Sequence, residues 1–203
     1  MSCAKLIHRI LRYLPRSRFA RDTRGSIVVD SFSGILLLSL GASAFFSFWE
    51  AYQVQNRVQK ATYTISDLIS RQRGTSLSRT FLDGMEQTAE FLMHDDQNAI
   101  MRISQVRRTS GIATDTAGLT VDWSYSPCNA KPAITTATIS TVRSKLPLID
   151  LGAALVVVEF DVSYDPGMAE IGFGMMNYRG FLSSLPRFEQ QFSITGTGTT
   201  TCL

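Results

Sequence analysis

The chain has 203 residues, 44% hydrophobic and 18% charged, with a formal net charge of +3. That charge is uneven: Lys5, Arg9, Arg12, Arg16, Arg18, Arg21 and Arg24 precede Gly25 with only Asp22 against them, so residues 1–25 carry +6 and residues 26–203 carry −3. A nucleic-acid surface needs a basic face on the folded body, and the body lacks the charge for one, which excludes nucleic acid as its partner.

Residues 1–25 read as a basic leader. From Ile27 to Trp49 the only formal charge is Asp30. As an α-helix this run spans ~35 Å, slightly more than the ~30 Å hydrocarbon core of a bilayer. Trp49 ends the run, where an indole suits the interface, and Glu50 and Tyr52 follow. Arginines cluster before the run and only Glu50 marks its exit, so the positive-inside rule puts the N-terminus in the cytoplasm. The expected organisation is a leader over 1–25, a transmembrane helix over 26–50 and an exported α+β domain over 51–203.

Three readings of the apolar run compete. One is a plain signal anchor. A second is a cleaved secretory signal, with small residues at Ala42–Ala44 for signal peptidase; the long basic region and Asp30 argue against it. The third uses Asp30. An aspartate at the centre of a membrane helix costs roughly 2.5–3.5 kcal/mol, less near an interface, and such residues are by default functional and partnered. Asp30 stands five residues after Gly25. Cleavage between Gly25 and Ser26 would create an ammonium at Ser26, and the Asp30 carboxylate of one subunit could pair with the terminal amine of a neighbour. The opposing reading is that Asp30 is tolerated at the interface by snorkelling or local hydration.

Beyond the membrane run, Val54, Val58, Ala61, Ile65 and Leu68 recur at steps of four and three, an amphipathic stripe. No Gly or Pro lies between Gly41 and Gly74, so one helix is expected from Ile27 to Arg73, ended by Gly74, the alternative being two helices broken near Trp49–Tyr52. A second helix is expected from about Ser78 to Ile100, on Phe81, Leu82, Met85, Ala89 and Leu92. The period then falls to two. Met101, Ile103 and Val106 mark one strand; Leu119, Val121, Trp123 and Tyr125 a second; Ala154–Tyr164 a third; and Arg187–Thr195 a fourth. Residues 127–152 and 165–186 read as loops, and the apolar run Ile171–Phe181 reads as a loop tucked onto the core, the alternative being a contact surface. Long helix, second helix and a mainly antiparallel sheet make an α+β layout.

Cys3 lies in the leader, while Cys128 and Cys202 fall on the exported side, where disulfides persist. A Cys128–Cys202 bridge would close a loop of about 75 residues, worth roughly 4 kcal/mol on the chain-entropy model; two unpaired thiols are the alternative. No second Cys or nearby His stands at metal spacing, so neither a metal nor another cofactor is expected. Catalytic candidates are equally thin. His8 and His94 are the two histidines, and His94 sits beside Asp95 and Asp96 on what reads as a solvated helix face. Glu159 and Asp161 read as the solvent-facing edge of a sheet. Gly172 and Gly174 lack the spacing of a nucleotide loop. Neither an enzyme nor a small-molecule substrate is expected.

Phe19, Asp22, Gly25, Val29 and Asp30 resemble the start of TadE-like proteins, minor pilins or pseudopilins of the tight-adherence (Flp) pilus, and the match runs over residues 19–70. The family usually has Glu where Asp30 stands, and the usual Pro of the apolar run is missing. Val156–Tyr164 followed by Asp165-Pro166, and a cysteine near the C-terminus, resemble the later part of such proteins. The resemblance implies a pilin-like fold, processing by a prepilin peptidase after Gly25, residence in the inner membrane with the C-terminal domain periplasmic, and other pilin or pseudopilin subunits as partners in assembling or priming the pilus. The competing function is a signal-anchored periplasmic binding module with no cleavage, in which the helix is only a tether.

Overall fold

The computed structural model describes residues 25–93, 99–112, 118–166 and 174–198. The chain divides into two compact units, Met1–Phe48 and Trp49–Leu203. Helix α1 runs Ser26–Ser70, 45 residues, as the Gly- and Pro-free stretch predicts. It ends three residues before the expected Arg73, and Gly74 follows with φ +101°, a conformation a side chain would strain.

Within the first unit the large apolar side chains of α1 stand exposed: Ile27, Val28, Val29, Phe32, Ile35, Leu36, Leu37, Leu38, Leu40, Phe45, Phe46 and Phe48. The helix is long and apolar enough to cross a membrane. Its serines are compatible with lipid because their hydroxyls turn back onto the preceding helical turn. Ser39 Oγ donates to Leu36 O at 2.8 Å and Ser43 Oγ to Ser39 O at 2.9 Å.

In the second unit, α1 supplies the spine. Ala51, Val54, Val58, Ala61, Ile65 and Ile69 are buried, an unbroken i, i+3/i+4 stripe. Leu68, expected in it, is 38% exposed, and Ile69 takes its place. Ser70 O accepts the Arg187 N–H at 2.9 Å, which satisfies a carbonyl of the last turn. Strand β1 (Ser76–Ser78) follows, and then helix α2 (Arg79–Met93), with Ser78 Oγ accepting the Phe81 N–H at 3.0 Å as an N-cap. Ala99 and Ile100, expected at the end of α2, instead open strand β2.

The main sheet has four antiparallel strands in the order β3-β2-β4-β5: β2 Ala99–Arg108, β3 Leu119–Tyr125, β4 Ala154–Tyr164 and β5 Met176–Ser184. Strand alternation divides the core. Met101, Ile103, Val156, Val158, Phe160 and Val162 face the cluster built with α1 and α2. Val106, Leu155 and Val157 face a second cluster with Ile134, Ile139, Val142, Leu146 and Ile149. Val106 falls on the face opposite Met101 and Ile103 by simple alternation, across from Leu155 of β4, and the β2–β3 register shifts between Gln105 and Val106.

Three expectations change here. Residues 127–152, expected as a loop, hold three short 3₁₀ turns within irregular chain, and Ile134, Ile139, Val142, Leu146 and Ile149 from this segment cover the second face of the sheet as a packing layer. Residues 176–184, expected in a loop, form strand β5. Arg187–Thr195, expected as a strand throughout, is one only at β6 (Ser193–Thr195), which pairs in parallel with β1. The preceding segment is held by the bulge instead: Phe192 N–H donates to Gln105 Oε1 at 2.9 Å, and Trp123 Nε1 donates to Phe192 O at 2.8 Å.

Gly180 lies mid-strand in β5 because α1 crosses it. A Cβ there would overlap Thr62 Oγ1 and lie 3.3 Å from Val58 Cγ1.

Candidate functional site

The Gly25–Asp30 segment opens α1, which begins at Ser26. Asp30 is exposed, one turn into the helix, among exposed Ile27, Val28 and Val29. Its carbonyl accepts the Ser33 hydroxyl at 2.9 Å. Among the described residues, no atom lies within 4 Å of where a Cβ on Gly25 would stand. The basic residues of the expected leader lie outside the described residues.

Cys128 is disulfide-bonded. It sits in the 3₁₀ turn Pro127–Asn129 with φ 52°, just past the end of β3. Cys202, its expected partner, lies outside the described residues. The tail does approach this region: a Cβ on Gly198 would overlap the Tyr125 hydroxyl and lie 3.4 Å from Asp83 Oδ2.

His94, Asp95, Asp96 and Gly172 also lie outside the described residues, and Gly174 is exposed. Among the described residues no three His, Cys, Asp or Glu side chains gather as a metal could require. Glu159 and Asp161 are on β4, a central strand, so the expectation of a solvent-facing sheet edge is corrected. Glu159 is buried because it is paired: Arg102 Nη2 lies 2.5 Å and Lys131 Nζ 3.8 Å from its carboxylate. Lys131 Nζ also lies 2.5 Å from Asp161, and Arg102 Nη1 donates to Pro132 O at 2.6 Å. This network clips the 130–134 segment onto the sheet. Breaking such a buried pair costs about 3–5 kcal/mol, so its role is structural.

Two polar clusters escaped the sequence reading because their members are distant in the chain. In the first, the Tyr125 hydroxyl donates to buried Asp83 Oδ1 at 2.6 Å. Burial, then the Asp83 carboxylate, pushes the phenol above its ordinary value. One helical turn on, Glu86 is pushed up to about 7, chiefly by burial and then by Glu90 and Asp83, although it accepts the Met101 N–H. Met101 lies beyond the last β3 partner of β2, Ile103, so Glu86 takes a ladder N–H that has no strand to receive it. In the second cluster, buried Tyr164 donates to the Glu50 carboxylate and is pushed up to about 12 by burial, then by that bond, with smaller contributions from Tyr178 and Asp165. The Tyr164 and Tyr178 rings are 6.4 Å apart.

Set against known proteins, the chain matches no family model, no curated protein and no solved structure.

Proposed function

We propose that the protein is a TadE-like minor pilin or pseudopilin that acts in assembling or priming a tight-adherence (type IV-like) pilus. A prepilin peptidase cleaves it between Gly25 and Ser26. It resides in the inner membrane, with its N-terminus cytoplasmic and its C-terminal domain periplasmic, and its partners are that peptidase and other pilin or pseudopilin subunits. It works as a structural subunit and not as an enzyme, without cofactor, small-molecule substrate or nucleic acid.

The observation that carries this reading is the exposed Asp30 carboxylate one turn into a membrane-length helix that begins at Ser26. Cleavage at Gly25 would place an ammonium at the positive end of the helix dipole, where a cation is disfavoured without an anion nearby. Asp30 on a neighbouring subunit supplies that anion, and the pair relieves both charges in an apolar setting. Gly25 is consistent with the reading, since a peptidase that cuts after a glycine needs one here and the described residues leave open space around it. Gly34 and Gly41 likewise have open space where a Cβ would stand, which suits close lateral approach of another helix.

The test is Asp30→Leu beside Asp30→Glu, read as crosslinking between subunits in membranes of cells that carry the whole assembly system. Removing one partner of a desolvated pair costs about 3–5 kcal/mol, so crosslinking should fall by more than tenfold in the leucine variant. The glutamate variant should retain it. Full assembly by Asp30→Leu would overturn the reading and favour a helix that serves only as a tether.

A further inference from the structure

The second unit carries an aromatic band at one end of its sheet. Trp49 and Tyr52 flank Glu50 on α1 and are 55% and 61% exposed. Glu50 is tied to Tyr164, the last residue of β4, by the hydroxyl–carboxylate bond described above. Tyr164 pairs with Met176, the first residue of β5; the Tyr178 ring lies beside it, tilted at 46°, and Met175, 72% exposed, precedes the strand. Trp49 to Tyr52 occupies ~4.5 Å of helix axis, and Met175 is one strand step, ~3.3 Å, from the residue paired with Tyr164. Among the described residues, Glu50 and Asp165 are acids of the band, and Arg179 directly follows Tyr178 on β5.

Tyr and Trp combine an apolar ring with a polar tip and favour the lipid headgroup level, where one end is dry and the other wet. The chain enters this band directly from the exposed apolar run of α1, so the place where hydrocarbon should end coincides with the aromatic residues. The exposed members of the band are aromatic or apolar, which favours a contact made by the rings themselves.

We infer that this end of the domain, exposed at Trp49, Tyr52 and Met175 and backed by the Tyr164–Tyr178 pair, is a membrane-contacting surface that rests in the headgroup layer of a phospholipid bilayer. The inference rests on the membrane reading of α1 proposed above and adds that the β4–β5 end of the folded domain meets lipid as well.

A photoreactive benzoyl-phenylalanine tests it, placed singly at Leu37, Tyr52, Met175 or Leu148 of the full chain in phosphatidylcholine vesicles. Leu148 is 68% exposed and belongs to the loop before the opposite end of β4, so it serves as the water-facing control. After illumination, adducts are weighed by mass spectrometry. The expected result is phospholipid adduct at 37, 52 and 175, several-fold above the yield at 148. Lipid adduct at 37 with none above control at 175, or adduct at 175 only to another protein chain, overturns the inference and leaves the membrane reading standing. No lipid adduct at 37 overturns both. Because the side chains at all four positions are exposed, the substitutions leave the fold intact.

Discussion

Glu86→Gln should stabilise the protein above neutral pH and do little below pH 4.5. Glu86 is half-buried beside Asp83 and Glu90, and its carboxyl is pushed from 4.5 to about 7. A carboxyl raised on folding is held protonated by the native state at a pH where the unfolded chain has already released the proton. Stability is therefore highest below the unfolded value, falls as pH rises from about 4.5 to about 7, and is flat above. A fully desolvated shift of this size would correspond to about 3.4 kcal/mol. Solvent around a half-buried group reduces that to about 1–2 kcal/mol. Glutamine keeps an oxygen for the Met101 N–H and removes the charge. Denaturant unfolding of the full chain in detergent, followed by Trp123 fluorescence at pH 4.5 and pH 8, reads the difference. The variant should gain about 1–2 kcal/mol on the parent at pH 8 relative to pH 4.5. An equal difference at both values, or a loss confined to pH 8, would refute the argument that burial beside two acids holds Glu86 protonated.

Two further outcomes follow from the packing. Gly180→Ala should destabilise by about 1–3 kcal/mol, because its methyl meets Thr62 on α1; urea unfolding checks this, and Thr62→Ala in the same chain should recover part of the loss. Non-reducing peptide mapping should find Cys128 joined to Cys202, and Cys128→Ser should then lower stability by about 4 kcal/mol, the entropy of a loop of about 75 residues; mapping that joins Cys128 to Cys3 would contradict the topology.

The parts of the fold legible in the sequence are those with a local period. Val54, Val58, Ala61 and Ile65 repeat at helical spacing over a stretch with no breaker, and β4 is a near-continuous apolar run between turn residues. What stayed hidden depends on contacts far along the chain. Strand β5 lacks clean alternation because Gly180 stands where α1 passes closest, and only the three-dimensional crossing explains that glycine. Ile134, Ile139, Val142, Leu146 and Ile149 cover the second face of the sheet from a segment of short 3₁₀ turns and irregular chain, whose uneven spacing leaves neither a helical nor a strand period. Glu159 read as a solvated acid because its partners, Arg102 and Lys131, lie 57 and 28 positions away. Asp30 was legible because it is a charge within an apolar run, a contrast that needs no tertiary information. Its partner was not, since the reading places that partner on another molecule.

The intact mass of the mature chain, taken from membranes of cells that carry the assembly system, tests the central claim most directly. The account predicts a polypeptide that starts at Ser26 and bears a new ammonium within reach of a neighbour's carboxylate. A chain still starting at Met1, or one trimmed to begin at Phe45, would contradict it, because Asp30 would then face lipid without the counter-charge the proposal requires, or be removed altogether.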